Sequence, residues 1–206
     1  MSTYRRYFFS AIDLAYPESA VLIKEATALH YAVISKDIAF ANRSPNPIDR
    51  RLDFCAYFLS LIKVLEERGE SYDDIRRICL DITIEMVRPK NKLSHISKKI
   101  FPLLTNTWFG KLMINILKKK ALLKPHPLGF RAQVITDKSE TFGLGYGIDI
   151  LECGICKLFQ KHEMGRFAKI LCEVDEITTA HAGLHLIRTG TIANGAVKCD
   201  FRYRRI

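Results

Sequence analysis

The stretch that decides the fold lies at residues 152–204 and reads ECGICKLFQKHEMGRFAKILCEVDEITTAHAGLHLIRTGTIANGAVKCDFRYR. Apolar residues at helical spacing predict two helices, over 154–163 and 164–182, with Gly165 near the break between them. The segments HLIRTGTI and AVKCDFRYR are rich in branched and aromatic residues, and they predict a hairpin that turns at 193–195. This stretch therefore predicts a pair of helices inserted into a small antiparallel sheet.

Two more strands are predicted just upstream. GFRAQVI at 129–135 and TFGLGYGIDILE at 141–152 have the composition of half-buried strands. Gly143, Gly145 and Gly147 fall on one face of the second strand, which predicts that a bulky group approaches the backbone there. The G-L-G-Y-G sequence lacks the later spacing and the strand-to-helix context of a dinucleotide-binding loop.

The first half of the chain is predicted to be helical, from Pro17 to about residue 120. The second helix is expected to begin near Pro47 and to end at Gly69. Ser71 opens a weak capping box, S-Y-D-D, and predicts the start of a third helix. A fourth helix is expected to open near Ser97.

These elements define the fold class as α+β. A helical N-terminal half, at 1–124, is expected to pack on a small antiparallel sheet with a helix-hairpin insertion, in a thiol-rich region at 125–206. The chain has 206 residues, of which 48% are hydrophobic and 26% are charged, as in ordinary globular proteins. We expect the two regions to form one integrated domain.

No targeting or membrane-spanning segment is predicted. Asp13 interrupts the apolar run near the N-terminus, so that run does not match a secretory signal. The chain also contains no run of about 18 uncharged apolar residues. We therefore expect a cytoplasmic protein whose six cysteines are thiols rather than disulfides.

The net charge of +10 comes from one segment, because residues 86–124 carry ten lysines and arginines and no acidic residue. The same segment is rich in large apolar residues. Such a basic amphipathic segment could lie on an anionic membrane, contact nucleic acid or another protein, or simply hold its lysines in water. No nucleic-acid fold signature accompanies the charge, so we expect no nucleic-acid partner.

The cysteines of the last third allow several kinds of chemistry. Cys153 and Cys156 have CxxC spacing at a strand-to-helix junction, where helix amides stabilise a thiolate. Cys172 and Asp175 share one face of a helix because they are spaced i, i+3. A zinc site, a thiol–disulfide pair, a nucleophilic hydrolase site and a set of buried core thiols all remain open at this point.

The final strand adds two more candidates on opposite sides. Cys199 and Asp200 are neighbours, so their side chains point to opposite faces of the sheet. Arg188 and Arg202 could each bind a substrate carboxylate through a bidentate guanidinium.

Several short motifs in this order resemble the signature of the L-2-amino-thiazoline-4-carboxylic acid hydrolase family. The resemblance covers roughly residues 128–203. The matching positions are a cysteine after a strand with a following aromatic, an L-C-x-x-D helix, an R-T-x-T-I-x-x-G segment and a final C-D-F-R: Cys153, Phe159, Leu171, Cys172, Asp175, Arg188, Thr189, Thr191, Ile192, Gly195, Cys199, Asp200, Phe201 and Arg202.

The resemblance implies an enzyme that opens a 2-aminothiazoline or a similar small cyclic amidine by hydrolysis to a carbamoyl-cysteine, without a metal or other cofactor. The alternative is a non-catalytic relative that binds a small ligand or a metal in the same thiol-lined pocket. The implied catalytic residues are Cys153, Asp175 and Cys199. The implied substrate-binding residues are Cys172, Arg188, Thr191, Asp200 and Arg202.

Overall fold

A computed structural model describes residues 4–88, 107–121, 123 and 126–206 of the chain. Within these residues the chain forms seven α-helices and one four-stranded antiparallel sheet, which confirms the predicted α+β class. The helices are α1 (Arg5–Ala15), α2 (Ala20–Asp37), α3 (Arg51–Glu67), α4 (Tyr72–Val87), α5 (Trp108–Ala121), α6 (Gly154–Lys161) and α7 (Ala168–His181). The strands are β1 (Arg131–Ile135), β2 (Gly147–Glu152), β3 (Leu184–Ile187) and β4 (Cys199–Arg205).

Helix α3 forms the centre of the core. It is apolar on nearly every side, as expected of a helix surrounded by other elements, and it packs against α2, α4 and α6. Phe8 of α1 packs edge-to-face on Tyr57 and Phe58 of α3. Helix α1 was not predicted, although its buried residues Phe8 and Ile12 have helical spacing.

The ends of two predicted helices can be compared with the structure. Ser71 caps α4, because its hydroxyl accepts a hydrogen bond from the Asp74 amide at 3.1 Å, as the S-Y-D-D sequence predicts. Helix α3 starts at Arg51 rather than at Pro47, since residues Pro47–Arg50 form a 3₁₀ turn before it. The start that is expected near Ser97 lies outside the described residues, whereas α5 lies within the basic segment that is predicted to supply this helix.

The sheet has the strand order β1-β2-β4-β3. In the register of β2 and β4, Ile148 is opposite Phe201 and Ile150 is opposite Cys199. Side chains alternate between the two faces of a strand, so these four residues share one face. Asp200 and the next alternate residue, Arg202, lie on the other face.

The glycine-rich strand is shorter than predicted. Residues 141–146 form turns, in which Gly143 and Gly145 have φ angles of 80° and 87°. The expected close approach is found at Gly147, where an added Cβ would lie 2.8 Å from Cδ of Arg202. The first two glycines therefore serve turn conformations, and the third makes room for a side chain of β4.

The predicted hairpin also differs in its connection. Strand β3 ends at Ile187 and β4 begins at Cys199, so the R-T-G-T-I segment lies in a loop rather than in a strand. The Asp200 carboxylate accepts hydrogen bonds from the amides of Thr189 and Gly190, which pulls this loop away from the ladder. The amides of Thr189 and Gly190 therefore bond to a side chain instead of to a neighbouring strand.

Asp49 joins the helical half to the start of the sheet. Its fully buried carboxylate accepts a hydrogen bond from the Phe130 amide at 2.8 Å and another from the Ser44 hydroxyl, 2.5 Å away. The side-chain amide of Asn46 donates to the Phe130 carbonyl at 3.1 Å. Both backbone groups of Phe130 are thus satisfied by residues more than 80 positions earlier in the chain.

We predict that Asp49→Ala destabilises the fold by about 1–3 kcal/mol, because it leaves the buried Phe130 amide and the partly buried Ser44 hydroxyl without their acceptor. The exposed helical variant Asp81→Ala should change the free energy of unfolding by no more than about 0.5 kcal/mol. Urea unfolding of both variants measures the difference. Equal midpoints would contradict the role of Asp49.

Candidate active site

A cavity of about 240 Å³ lies between α6, α7 and the sheet, and the start of α3 closes one side. Much of its wall is apolar and includes Phe130, Ile150 and Leu171. Seven residues with thiol, hydroxyl or charged groups also line it, and they come from α3, from α6 and its N-cap, from α7 and from β4: Arg51, Cys153, Cys156, Cys172, Asp175, Cys199 and Tyr203.

Local structure explains how the thiols meet. Cys153 is the N-cap residue of α6, directly after β2, and Cys156 lies in the first turn of that helix. Cys172 and Asp175 lie one turn apart on α7. Cys199 opens β4 with its side chain on the face that carries Phe201. The structure therefore brings together the four thiols of the last third and one carboxylate.

Cys153 is the thiol best suited to exist as a thiolate. The Cys156 thiol donates a hydrogen bond that lowers the pKa of Cys153, and the backbone amides of Cys156 and Ile155 act in the same direction. Burial opposes this shift without reversing it. The same interaction raises the pKa of Cys156, because that thiol must keep its proton in order to donate.

The other two thiols of the cavity are held in the neutral form. Burial raises the pKa of Cys172 to about 12, against the opposing effect of the nearby Arg188 guanidinium. Burial also raises the pKa of Cys199, although the Ile192 amide lies 3.2 Å from its sulfur and donates to it. Of the four cavity thiols, only Cys153 has a lowered pKa, which favours the nucleophilic thiolate form.

Asp175 stands between two guanidinium groups. Nη2 of Arg51 donates to Oδ1 of Asp175, and this carboxylate raises the pKa of Arg51. Nη1 of Arg188 lies 3.9 Å from Oδ2, beyond hydrogen-bonding distance. Oδ2 of Asp175 therefore retains capacity to accept a hydrogen bond from a bound ligand.

Arg188 does not line the cavity, but it supports the wall. Its buried Nη2 donates to the Cys172 carbonyl at 3.2 Å and to Glu176 at 3.0 Å. Its guanidinium also lies over the Phe201 ring, 5.2 Å from the centroid. These contacts hold the middle of α7 against Phe201 of β4.

Three other predicted site residues do not line the cavity. The Thr191 hydroxyl caps a short 3₁₀ turn by accepting from the Asn194 amide. Asp200 holds the loop before β4, and Arg202 pairs with Asp149 and with Glu140, both at 2.8 Å, on the opposite face of the sheet. We therefore do not propose Thr191, Asp200 or Arg202 as substrate ligands.

Arg51 and Tyr203 line the cavity and were missed by sequence reasoning. Tyr203 could have been found, because it lies on the same strand face as Cys199 by the two-residue alternation. Arg51 had no local signal, since its partner Asp175 is 124 positions away. Within the described part of the chain, no group of three or more histidine, cysteine or acidic side chains is arranged to hold a metal ion.

The sequence model of the family described as L-2-amino-thiazoline-4-carboxylic acid hydrolase matches residues 55–203, which is more than half of the chain. The chain belongs to this family. The family match begins in α3 and so takes in helices that the short motifs did not reach. Arg51 lies just before the matched range. No curated protein and no solved structure matches the chain.

We predict that iodoacetamide alkylates Cys153 first, with a lower pH midpoint than the other cavity thiols, because its lowered pKa keeps the thiolate present at lower pH. Cys156→Ala should raise that midpoint, whereas Cys156→Ser keeps a donor and should largely preserve it. Peptide mass spectrometry across a pH series measures each site. Faster alkylation of Cys172 or Cys199 would contradict the assignment.

Proposed function

We propose that this cavity hydrolyses a small cyclic amidine of the 2-aminothiazoline-4-carboxylate type and opens its ring to a carbamoyl-cysteine. The observation that carries the proposal is a thiol with a lowered pKa, Cys153, in one cavity with the Arg51–Asp175 pair. Membership of the hydrolase family supports the same reaction class.

The size and charge of the cavity suit such a substrate. Its volume of about 240 Å³ is below the roughly 300–1,000 Å³ of pockets for drug-sized ligands. A 2-aminothiazoline acid carries a protonated amidine and a carboxylate. Arg51 can bind the carboxylate through a charge-assisted hydrogen bond, and Oδ2 of Asp175 can accept one from the amidine.

The first half of the reaction forms a bond between Sγ of Cys153 and the amidine carbon. The thiolate attacks that carbon, and its former double-bond electron pair moves to nitrogen, which neutralises the amidinium charge. The ring C–S or ring C–N bond then breaks, and the released sulfur or nitrogen takes up a proton. The opened substrate remains attached to Cys153.

The second half restores the enzyme. Water adds to the same carbon and loses both of its protons to solvent, because the released sulfur or nitrogen has already taken up its proton. The bond to Sγ of Cys153 breaks, the sulfur leaves as a thiolate, and the carbon becomes the carbonyl of a carbamoyl group. The net reaction consumes one water molecule and neither oxidises nor reduces the substrate.

We predict that the purified protein converts 2-aminothiazoline-4-carboxylate to a carbamoyl-cysteine, and that Cys153→Ala lowers kcat/KM by roughly a thousandfold or more, as loss of a nucleophile does. Cys79→Ala, which removes a thiol buried in α4, should keep kcat near the wild-type value. Product mass and a colorimetric assay for the carbamoyl group follow the reaction. Ligand-induced thermal stabilisation without product would instead support a non-catalytic binding protein.

Arg51→Ala should raise KM about tenfold or more, because it removes a charge-assisted contact to the substrate carboxylate. Arg76→Ala is the matched control, since Arg76 also pairs with a carboxylate of α7, Glu173, but lies outside the cavity. It should leave KM unchanged. An unchanged KM in Arg51→Ala would exclude Arg51 as a substrate ligand.

A further inference from the structure

Helix α5 is apolar on two separate faces. One face, made of Gly110, Ile114, Leu117 and Ala121, has the spacing i, i+4, i+7, i+11 and is partly or fully buried. The helix packs with β1 and with the 3₁₀ turn Pro47–Arg50. This face therefore attaches α5 to the body of the protein, where Ile114 and Leu117 pack against the core.

The second apolar face points to solvent. Phe109, Leu112, Met113 and Ile116 have the spacing i, i+3, i+4, i+7, so they form one stripe along the helix. Their exposed fractions lie between 39% and 59%, and Trp108 beside them is 79% exposed. Single exposed apolar residues are common on protein surfaces, whereas a contiguous stripe of large apolar side chains indicates an interaction surface.

The charges of α5 are of one sign. Its only charged residues are Lys111 and the run Lys118–Lys120, and the helix contains no acidic residue. Three of the four lysines lie in its last turns. An exposed apolar stripe beside lysines is the arrangement of helices that lie in the headgroup region of an anionic bilayer.

We propose that α5 binds the surface of an anionic membrane. Its stripe, Phe109, Leu112, Met113 and Ile116, would enter the boundary between headgroups and acyl chains, while the lysines contact lipid phosphates. A second copy of the chain fits this face poorly, because it would bring two sets of lysines together without a compensating carboxylate. None of the described helices is long and apolar enough to cross a bilayer.

Trp108 provides a direct probe, because it is the one tryptophan of the chain. With full-length protein and vesicles of phosphatidylcholine mixed with phosphatidylglycerol, its emission should shift to shorter wavelength and become protected from acrylamide. Both effects should fall as salt is added, because the lysine contacts are screened. Vesicles of phosphatidylcholine alone should give a much smaller change.

Two sets of variants test the assigned face. Phe109→Glu with Met113→Glu should abolish co-sedimentation with the anionic vesicles, and changing each of the lysines at 118–120 to glutamine should weaken binding about fivefold, equivalent to ~1 kcal/mol each. The matched control is Leu22→Glu with Leu29→Glu, which changes two equally exposed leucines of α2 and should leave binding unchanged. Far-UV circular dichroism and urea unfolding show whether each variant is folded.

Three results would overturn the proposal. The first is no spectral shift and no co-sedimentation at low salt. The second is full binding by the Phe109→Glu, Met113→Glu variant, which would show that charge elsewhere in the chain is responsible. The third is a concentration-dependent shift of the Trp108 emission without vesicles, which would assign the face to a protein contact.

Discussion

The ion pair between Arg51 and Asp175 is the interaction on which the rest of the site depends. Arg51 is the first residue of α3, the central helix of the core, and Asp175 lies on α7, which follows the thiol-bearing helix α6. Removing Arg51 would leave the Asp175 carboxylate, whose side chain is 10% exposed, as a poorly solvated charge, and this costs more than the pair itself contributes. The pair therefore ties the helical half to the cavity and fixes the position of a carboxylate there.

The four thiols of the cavity differ in pKa because their local environments differ. Burial raises the pKa of Cys172 and Cys199, whereas the helix amides and the Cys156 thiol lower the pKa of Cys153. A nucleophilic thiol needs this combination of an apolar cavity and a local set of donors. The CxxC spacing then has a role in acid–base tuning, because Cys156 supplies one of those donors.

The features that the sequence predicted are those set by short-range physics. The cap at Ser71, the separation of Cys199 from Asp200 onto opposite faces, and the pairing of Cys172 with Asp175 on one helix face all follow from spacing within a few residues. The order of the short motifs was sufficient to indicate the family, which the match over residues 55–203 shows.

The features that the sequence did not predict depend on contacts between distant residues. Arg51 reaches the cavity only through a partner 124 positions away, and the bonds from Phe130 to Asn46 and Asp49 likewise cross from one half to the other. The sequence predicted Arg202 as a substrate ligand, but in the structure Arg202 pairs with Asp149 on the face of the sheet opposite the cavity. Composition and local spacing do not determine which charged residues form ion pairs across long distances in the sequence.

In the proposed mechanism, Sγ of Cys153 forms a bond to the amidine carbon during turnover. Rapid acid quenching of the protein with 2-aminothiazoline-4-carboxylate, followed by intact-protein and peptide mass spectrometry, tests it most directly. We expect a transient species heavier by one substrate molecule, with the added mass on the peptide that contains Cys153. Product formation with Cys153 unmodified at every time point would contradict it.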